Sequence, residues 1–485
     1  MKKVCWPYFD PDFHNLPERI YGPVCRVSLD NETLEDCTLV KVDSVNKQGL
    51  LLEVIQVLTD MNLTITKCFI SSDAEWFMDV FHVKDENGNK LTDQNAINYI
   101  QQAIGTTTGP PDSTRANAYA SNIFESENHS EHTTIEMTGT DRPGLFSEIS
   151  AALADLQCNI VEAHAWTHNA RLACVAQISD QSTDATIEDP HRLATIEDHL
   201  ITILRATTSV SPCGKEANNQ EVKTTGFLGG DYQGTMTNVE RRLHQLMLSI
   251  RDFDGPNLRP ASSPRTPFAW DAEEECRKTA VWIESCKEKG YSMVSLECKD
   301  RPRLMFDTVC TLTDMQYVIF HASTHCHEGY AFQEYFIRHV DGDVLCTESE
   351  KERVIKCLEA AIERRVCEGI RLELRADDRM GLLSDITRVL RENGLAVVRA
   401  DVATQGEKSI NAFYVRDISG NEVVPDMDFV ESMKRELMGP SHINLQVKNE
   451  KHLRSPSSTE KSRYFSNIGD ILKSQIGRFS FAKIK

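Results

Sequence analysis

The chain has 485 residues, of which 40% are hydrophobic and 26% are charged, and it carries a net charge of −20. This length suits three or four domains rather than a single core, and the composition is ordinary for a globular protein. The negative charge disfavours binding to nucleic acid, which requires a basic face, and no apolar run is long enough to span a bilayer.

The amino terminus and the cysteines predict a reducing compartment. No apolar core follows Lys2 and Lys3, so a secretory signal peptide is not expected. The fifteen cysteines include no CxxC pair, which favours small buried side chains over disulfides or metal ligands. We therefore expect the protein in the cytoplasm or the nucleus.

A segment of about thirty residues occurs four times along the chain, which indicates a repeat architecture. In each copy an alternating apolar run predicts a strand, a polar turn follows, and an apolar stripe at helical spacing predicts a helix. The turns share one column, occupied by Gly49, Gly144, Arg303 and Gly381. The second strands are marked by Ile65, Ile160, Ile319 and Val397, and three residues later by the small side chains of Cys68, Ala163, Ala322 and Ala400. A small side chain at a repeated place indicates close approach of a helix or another chain.

A hairpin and a second helix complete each copy. The second helices are predicted over 93–104, 191–206, 351–365 and 427–438, and a final strand is predicted over 442–448. The order strand, helix, strand, strand, helix, strand is the ferredoxin-like βαββαβ arrangement, so the predicted class is α+β with four tandem units.

The repeats divide the chain into seven segments. The predicted ranges are an N-terminal segment 1–35, unit 1 over 36–110, unit 2 over 131–210, an insertion over 211–288, unit 3 over 289–366, unit 4 over 367–448 and a basic, serine-rich tail over 449–485. Within the insertion, residues 238–253 predict a helix and residues 279–285 an extra strand. The tail fits either a solvated, disordered segment or one that contacts anionic lipid or a partner.

The repeated turn leaves backbone N–H groups at the start of a helix without helical partners, and such donors favour a carboxylate. The side chains of Asn46, Asp141 and Asp378, three residues before the glycines, could accept from an ammonium group. Together these groups suit a free amino acid. Ordinary helix capping explains any single turn equally well. In the third copy Arg303 replaces glycine, which favours a structural role there.

The DRPGL-type turn, the helix stripe and the FHVKDENG-like hairpin resemble those of ACT domains, the small modules that bind amino acids. The four-copy layout, with HQLM in the insertion, is similar to that of plant ACT-domain-repeat (ACR) proteins. The resemblance implies units paired with their sheets side by side, and an amino acid held where one turn meets the second strand of its partner. The residues it implies are Asn46, Gly49, Leu50, Asp141, Gly144, Leu145, Asp378, Gly381 and Leu382, with Ile160 and Val397 on the second strands. The three leucines would act through their backbone N–H groups.

A catalytic site is not expected. ACT repeats also occur in bacterial uridylyl-transferring enzymes, but the paired acids Asp341 and Asp343 do not follow the Gly-Ser turn that nucleotidyl transfer requires. The cluster of His321, His325 and His327 could hold zinc, yet no second ligand group has matching spacing. No metal or cofactor is predicted.

The sequence therefore predicts a non-catalytic regulatory protein that binds free amino acids and acts on an unidentified target protein. The pairing of units leaves room for a homodimer. Two alternatives stay open: an interaction scaffold without a small-molecule ligand, and, with less support, a uridylyltransferase-related enzyme.

Overall fold

The computed structural model describes residues 25–47, 49–72, 76–107, 132–205, 221–225, 236–254, 279–365, 370–418, 435 and 444–449. Within these ranges it has eight α-helices and sixteen strands in two antiparallel sheets, which confirms the predicted α+β class. The helices are α1 (Leu50–Asp60), α2 (Gln94–Thr107), α3 (Leu145–Asp155), α4 (Pro190–Arg205), α5 (Met236–Ser249), α6 (Leu304–Asp314), α7 (Glu348–Glu363) and α8 (Leu382–Glu392).

The strands are β1 (Cys25–Asp30), β2 (Thr38–Val45), β3 (Thr64–Ser72), β4 (Trp76–Lys84), β5 (Thr133–Thr140), β6 (Cys158–His168), β7 (Arg171–Asp180), β8 (Glu221–Thr225), β9 (Ala280–Cys286), β10 (Tyr291–Lys299), β11 (Tyr317–His327), β12 (Tyr330–His339), β13 (Ile370–Asp377), β14 (Leu395–Gln405), β15 (Lys408–Asp417) and β16 (Asn444–Asn449). The predicted helix at 427–438 and the tail beyond residue 449 lie outside the described residues, apart from residue 435. None of the helices described is long and apolar enough to cross a membrane.

Each sheet joins two units that are not neighbours in the chain. Sheet 1/3, built from units 1 and 3, has the strand order β1-β2-β4-β3-β11-β12-β10-β9. Sheet 2/4, built from units 2 and 4, has the order β16-β13-β15-β14-β6-β7-β5-β8. The units therefore meet through their second strands, β3 with β11 and β6 with β14.

The outer strand of a unit follows the rest of the repeat in two units and precedes it in the other two. In units 2 and 4 it comes last in the repeat, as β8 beside β5 and β16 beside β13, and in unit 2 this gives the βαββαβ order. In units 1 and 3 it precedes the first strand, as β1 beside β2 and β9 beside β10. In every unit the first strand pairs on one side with a strand of the same repeat and leaves its other side free. A segment that precedes or follows the repeat can therefore pair with that free side. Both β8 and β9 lie within the range predicted as the insertion.

The column of small side chains, where a helix or another chain was expected to come close, lies at the junctions between paired units, and the neighbour there is a strand of the same chain. At β3–β11 and β6–β14 the backbones pair directly, and bulky side chains on both strands would crowd there. The registers are Cys68 with Thr324, Ile70 with Ala322, Ala163 with Val402, and Ala165 with Ala400.

The first helices of paired units pack against each other on one face of their sheet. In sheet 2/4, α3 and α8 meet at a buried hydrogen bond of 3.1 Å between the hydroxyls of Ser150 and Thr387. These two residues occupy the same place in their repeats, six residues after Gly144 and Gly381. The pseudo-twofold axis of the pair therefore passes close to this contact.

The insertion helix α5 joins the two sheets. It buries apolar side chains against the face of sheet 2/4 that lies opposite α3 and α8, in a cluster of Trp166, Ala173, Val175, Val239, Leu243, Leu246, Met247 and Ile250. Its other side bonds to the helices of sheet 1/3, through Thr237 to Asp60 of α1 at 2.8 Å and through Arg241 to Asp314 of α6 at 3.2 Å. The helix predicted at 238–253 thus lies between sheet 2/4 and the helices of sheet 1/3.

Candidate functional site

All four repeated turns place a left-handed residue directly before a helix. The φ angles are +87° at Gly49, +87° at Gly144, +74° at Gly381 and +65° at Arg303. Glycine adopts this conformation without steric cost, whereas arginine pays about 1–2 kcal/mol. The turn of unit 3 therefore keeps the left-handed geometry of the other turns although arginine stands in place of glycine.

The leucine amides that we expected to face a ligand are already used within the turns. The N–H of Leu50, Leu145 and Leu382 donates at 3.1 Å to the carbonyl of the residue three positions earlier in each case. The left-handed residue curls the chain back and closes this bond. A ligand would therefore have to share these amides with the turn. In unit 4 the first helical bond is that of the Asp385 N–H to the carbonyl of Gly381, so the amides of Leu383 and Ser384 lie between the turn bond and the helical bonds.

The aspartates of the turns accept hydrogen bonds from the turn backbone, and Asp141 is half-buried whereas Asp378 is exposed. Asp141 and Asp378 each accept from the backbone N–H of the following arginine, so they brace the turn rather than cap the helix. Burial raises the pKa of Asp141 to about 7 and also raises the pKa of Asp378. A carboxylate in such a place is stabilised by a nearby cation such as an ammonium group.

An ion pair that was not predicted from the sequence crosses each turn. The pairs are Lys47 with Glu53 at 3.7 Å, Arg142 with Glu148, Arg301 with Asp307 at 2.8 Å, and Arg379 with Asp385 at 2.5 Å. The signal was available, because a base two residues before the column and an acid four residues after it recur in all four copies.

The turn of unit 4 and the start of β6 in unit 2 enclose a cavity of about 50 Å³. It brings together four of the predicted site residues, namely Ile160, Asp378, Gly381 and Leu382. The other polar side chains on its wall are Ser150, Asn159, Arg379, Ser384, Thr404 and Ser409. The space holds about three or four water molecules, since one requires roughly 10–15 Å³ by this measure.

A buried amide beneath this cavity was not identified from the sequence. Asn411 is 1% exposed, and its Nδ2 donates at 3.0 Å to the hydroxyl of Ser409 on the cavity wall. Its Oδ1 has no hydrogen-bond partner among the described residues. Buried amide oxygens in proteins usually accept a hydrogen bond from another protein group or from water.

The other turns differ from that of unit 4. Arg391 lies over Gly144 in unit 2, while Val397 packs against the core of sheet 2/4. In unit 1 the space next to Gly49 is open among the residues described, and Asn46 lies half-buried in the same turn. In unit 3 the turn and β3 of unit 1 enclose a smaller cavity of about 20 Å³.

The turn of unit 3 is tied to α5 by buried charges. Arg303 Nη1 lies 2.6 Å from Glu240 Oε2, and Glu240, which is 1% exposed, also pairs with Arg365 at 2.7 Å. Burial alone would raise the pKa of Glu240, but the arginines outweigh it and lower that pKa. The charge that replaces glycine in this copy therefore connects unit 3 to the insertion.

Two of the histidines on β11 contact aromatic side chains of the neighbouring strand β12. The ring of His325 stacks on that of Phe332, with centroids 5.2 Å apart, and His321 lies edge-on to Phe336. Over the described parts of the chain, no group of His, Cys, Asp or Glu side chains has the arrangement of a metal site.

Comparison with known proteins identifies the family. Residues 33–109 match the ACR family N-terminal ACT domain, and residues 131–203 and 370–426 each match the ACT domain. The chain is 60% identical over 498 aligned positions to the ACT domain-containing protein ACR2 of Arabidopsis thaliana, covering 99% of both chains. The chain belongs to the ACR family of ACT-domain proteins.

Other ACR relatives are similar over most of their length. The Arabidopsis thaliana ACT domain-containing protein ACR3 is 49% identical over 90% of both chains. A bifunctional uridylyltransferase/uridylyl-removing enzyme of Azospirillum brasilense is 32% identical, but over 19% of this chain and 10% of the enzyme. That likeness spans 91 residues, far less than the ACR likeness.

Proposed function

We propose that this ACR protein is a non-catalytic regulator that binds a free amino acid at the cavity between the unit 4 turn and strand β6 of unit 2. The observation that carries the proposal is the open space beside Gly381, with Asp378 and Ile160 on the same wall. It lies where a turn of one unit meets the second strand of its partner, as ACT domains imply for an effector.

The cavity offers a group for each part of a zwitterion. The Asp378 carboxylate, which is exposed and lines the cavity, gains a cation if the ligand's ammonium group approaches it. The amides of Leu383 and Ser384 at the start of α8, with the positive end of the helix dipole, suit the ligand's carboxylate. The small volume favours a short side chain, which would pack on Ile160 and Val402.

Binding can regulate only if it favours one arrangement of units 2 and 4 over another. The cavity wall comes from both units, so a ligand that contacts both stabilises their junction at β6–β14. That junction would then present a different surface to a target protein in the cytoplasm or nucleus. A site of this size binds at micromolar to millimolar strength, about −4 to −8 kcal/mol.

We expect titration calorimetry with the twenty amino acids, each tested up to about 10 mM, to detect binding of a small one. The Asp378→Asn variant should bind it about ten- to a hundredfold more weakly, because a hydrogen bond to a charged group contributes about 1.5–3 kcal/mol. The matched control is Asp300→Asn, at the same repeat position of unit 3, where we expect less than a twofold change. Absence of heat with every amino acid would instead favour the scaffold, and equal losses in both variants would place the ligand elsewhere.

A further inference from the structure

The two turns of the unit 2/4 pair are equivalent by repeat but not in what covers them. A methyl group built on Gly144 would lie 2.7 Å from Cδ of Arg391, whereas one built on Gly381 would meet no atom of the described chain within 4 Å. Both glycines have the same left-handed backbone, so the difference comes from the neighbouring unit.

One position in the first helix accounts for this difference. Arg391 lies in α8, ten residues after Gly381, and it reaches across the pair to the turn of unit 2. The residue ten positions after Gly144 is Ala154 in α3, and Ala154 lines the cavity at the turn of unit 4. Each first helix thus presents this position to its partner's turn. An arginine covers one turn, and an alanine leaves space over the other.

The same relation holds in the other pair of units. Thr59 is ten residues after Gly49, and it lines the smaller cavity at the turn of unit 3. The contact is therefore a property of how paired units dock and not of one side chain conformation. The residue at this position is threonine in unit 1, alanine in unit 2 and arginine in unit 4, so its size and charge differ among the copies.

The charge of Arg391 also acts on the turn that it covers. The pKa of Glu148 in the first turn of α3 is lowered chiefly by its hydrogen bond from Arg142 and further by the charge of Arg391. The guanidinium of Arg391 therefore brings a positive charge to the turn of unit 2, in addition to that of Arg142.

We propose that the residue ten positions after the turn glycine determines whether the partner unit's site accepts an amino acid, with Ala154 opening the unit 4 site and Arg391 closing the unit 2 site. This inference rests on the proposed function and goes further, since it assigns occupancy to one of two equivalent turns. The unit 2/4 pair then binds one ligand instead of two, although its fold repeats the site twice.

The test is the stoichiometry of amino-acid binding by the full chain, measured by titration calorimetry with the amino acid that binds the wild type. Arg391→Ala should raise the stoichiometry by one site per chain, and Ala154→Arg should lower it by one. Glu392→Ala and Asp155→Ala, at the next position of the same two helices, serve as matched controls and should leave it unchanged. Thermal melting reports whether each variant is folded.

The outcomes separate the inference from the function on which it rests. Unchanged stoichiometry in a folded Arg391→Ala variant overturns the inference and leaves amino-acid binding intact. If Ala154→Arg does not fold, the gain of a site in Arg391→Ala decides the matter alone. If neither the wild type nor Arg391→Ala binds any amino acid, the proposed function fails and the inference fails with it.

Discussion

Asp307→Ala is expected to lower the free energy of unfolding by about 3–5 kcal/mol, because it removes the carboxylate that Arg301 and Arg365 share and leaves Glu240 as the other acid of Arg365. Asp307 has no exposed surface and accepts from His244 Nε2 at 2.8 Å and from Arg365 Nη2 at 2.8 Å. Arg301 lies 2.8 Å away on the same carboxylate. Urea unfolding followed by circular dichroism measures the loss.

The repeat supplies a control for this experiment. Asp385 stands at the same position of unit 4, but its side chain is 41% exposed and pairs with Arg379, which is exposed to a similar degree. An exposed ion pair contributes about 0–1 kcal/mol, so Asp385→Ala should change the unfolding midpoint little. Similar losses in the two variants would show that burial does not distinguish these carboxylates.

His164→Gln should destabilise the protein strongly at mildly acidic pH and much less at alkaline pH. His164 lies at the β6–β14 junction, where Nδ1 is 2.9 Å from Asp401 Oδ1 and Nε2 is 2.9 Å from Glu162 Oε1. Burial alone would lower the pKa of His164, but the hydrogen bonds to Asp401 and Glu162 outweigh it and raise the pKa to about 9.

The direction of the pH dependence follows from that shift. A folded-state pKa above the ordinary value of 6.5 means that the protonated ring stabilises the fold fully below about pH 6.5. This stabilisation, on the order of 3 kcal/mol, is lost as the pH rises through about 9. Asp401 also pairs with Arg399 at 2.9 Å, so its charge keeps one partner when the histidine is neutral.

Melting temperatures of wild type and His164→Gln, measured near pH 6 and near pH 10, test this expectation. The gap between the two proteins should be wide at the lower pH and narrow at the higher one. His199→Gln, an exposed histidine in α4, should follow the wild type at both values. A gap of constant width would mean that the His164 ring stabilises the junction through packing and not through its charge.

The turns, first helices and second strands were predictable because one apolar pattern recurs in four copies. The column of small side chains likewise predicted a close approach, and the structure places that column at the unit junctions. The choice of partners was not predictable, since β3, β6, β11 and β14 are alike in pattern and any of them could pair with any other.

The sequence named some of the residues that line the candidate site, but it did not predict how each turn is built. The residues Ile160, Asp378 and Gly381 meet at one cavity, although they come from separate units. Two features required coordinates. The bend of each turn uses the leucine amides, and the side chain over each glycine comes from a helix of the partner unit. The role of the residue ten positions after the turn glycine therefore depends on the partner unit, and one copy of the repeat could not predict it.

The alternation of partners along the chain has a consequence for synthesis on the ribosome. Strand β3 ends at Ser72, and its neighbour β11 begins at Tyr317, about 245 residues later. At roughly 5–20 residues per second, the nascent unit 1 waits about 12–50 s with an unpaired edge. An open strand edge is a template for pairing with other chains. The outer edge of β3 therefore stays available for pairing with other chains until the second half of the polypeptide emerges.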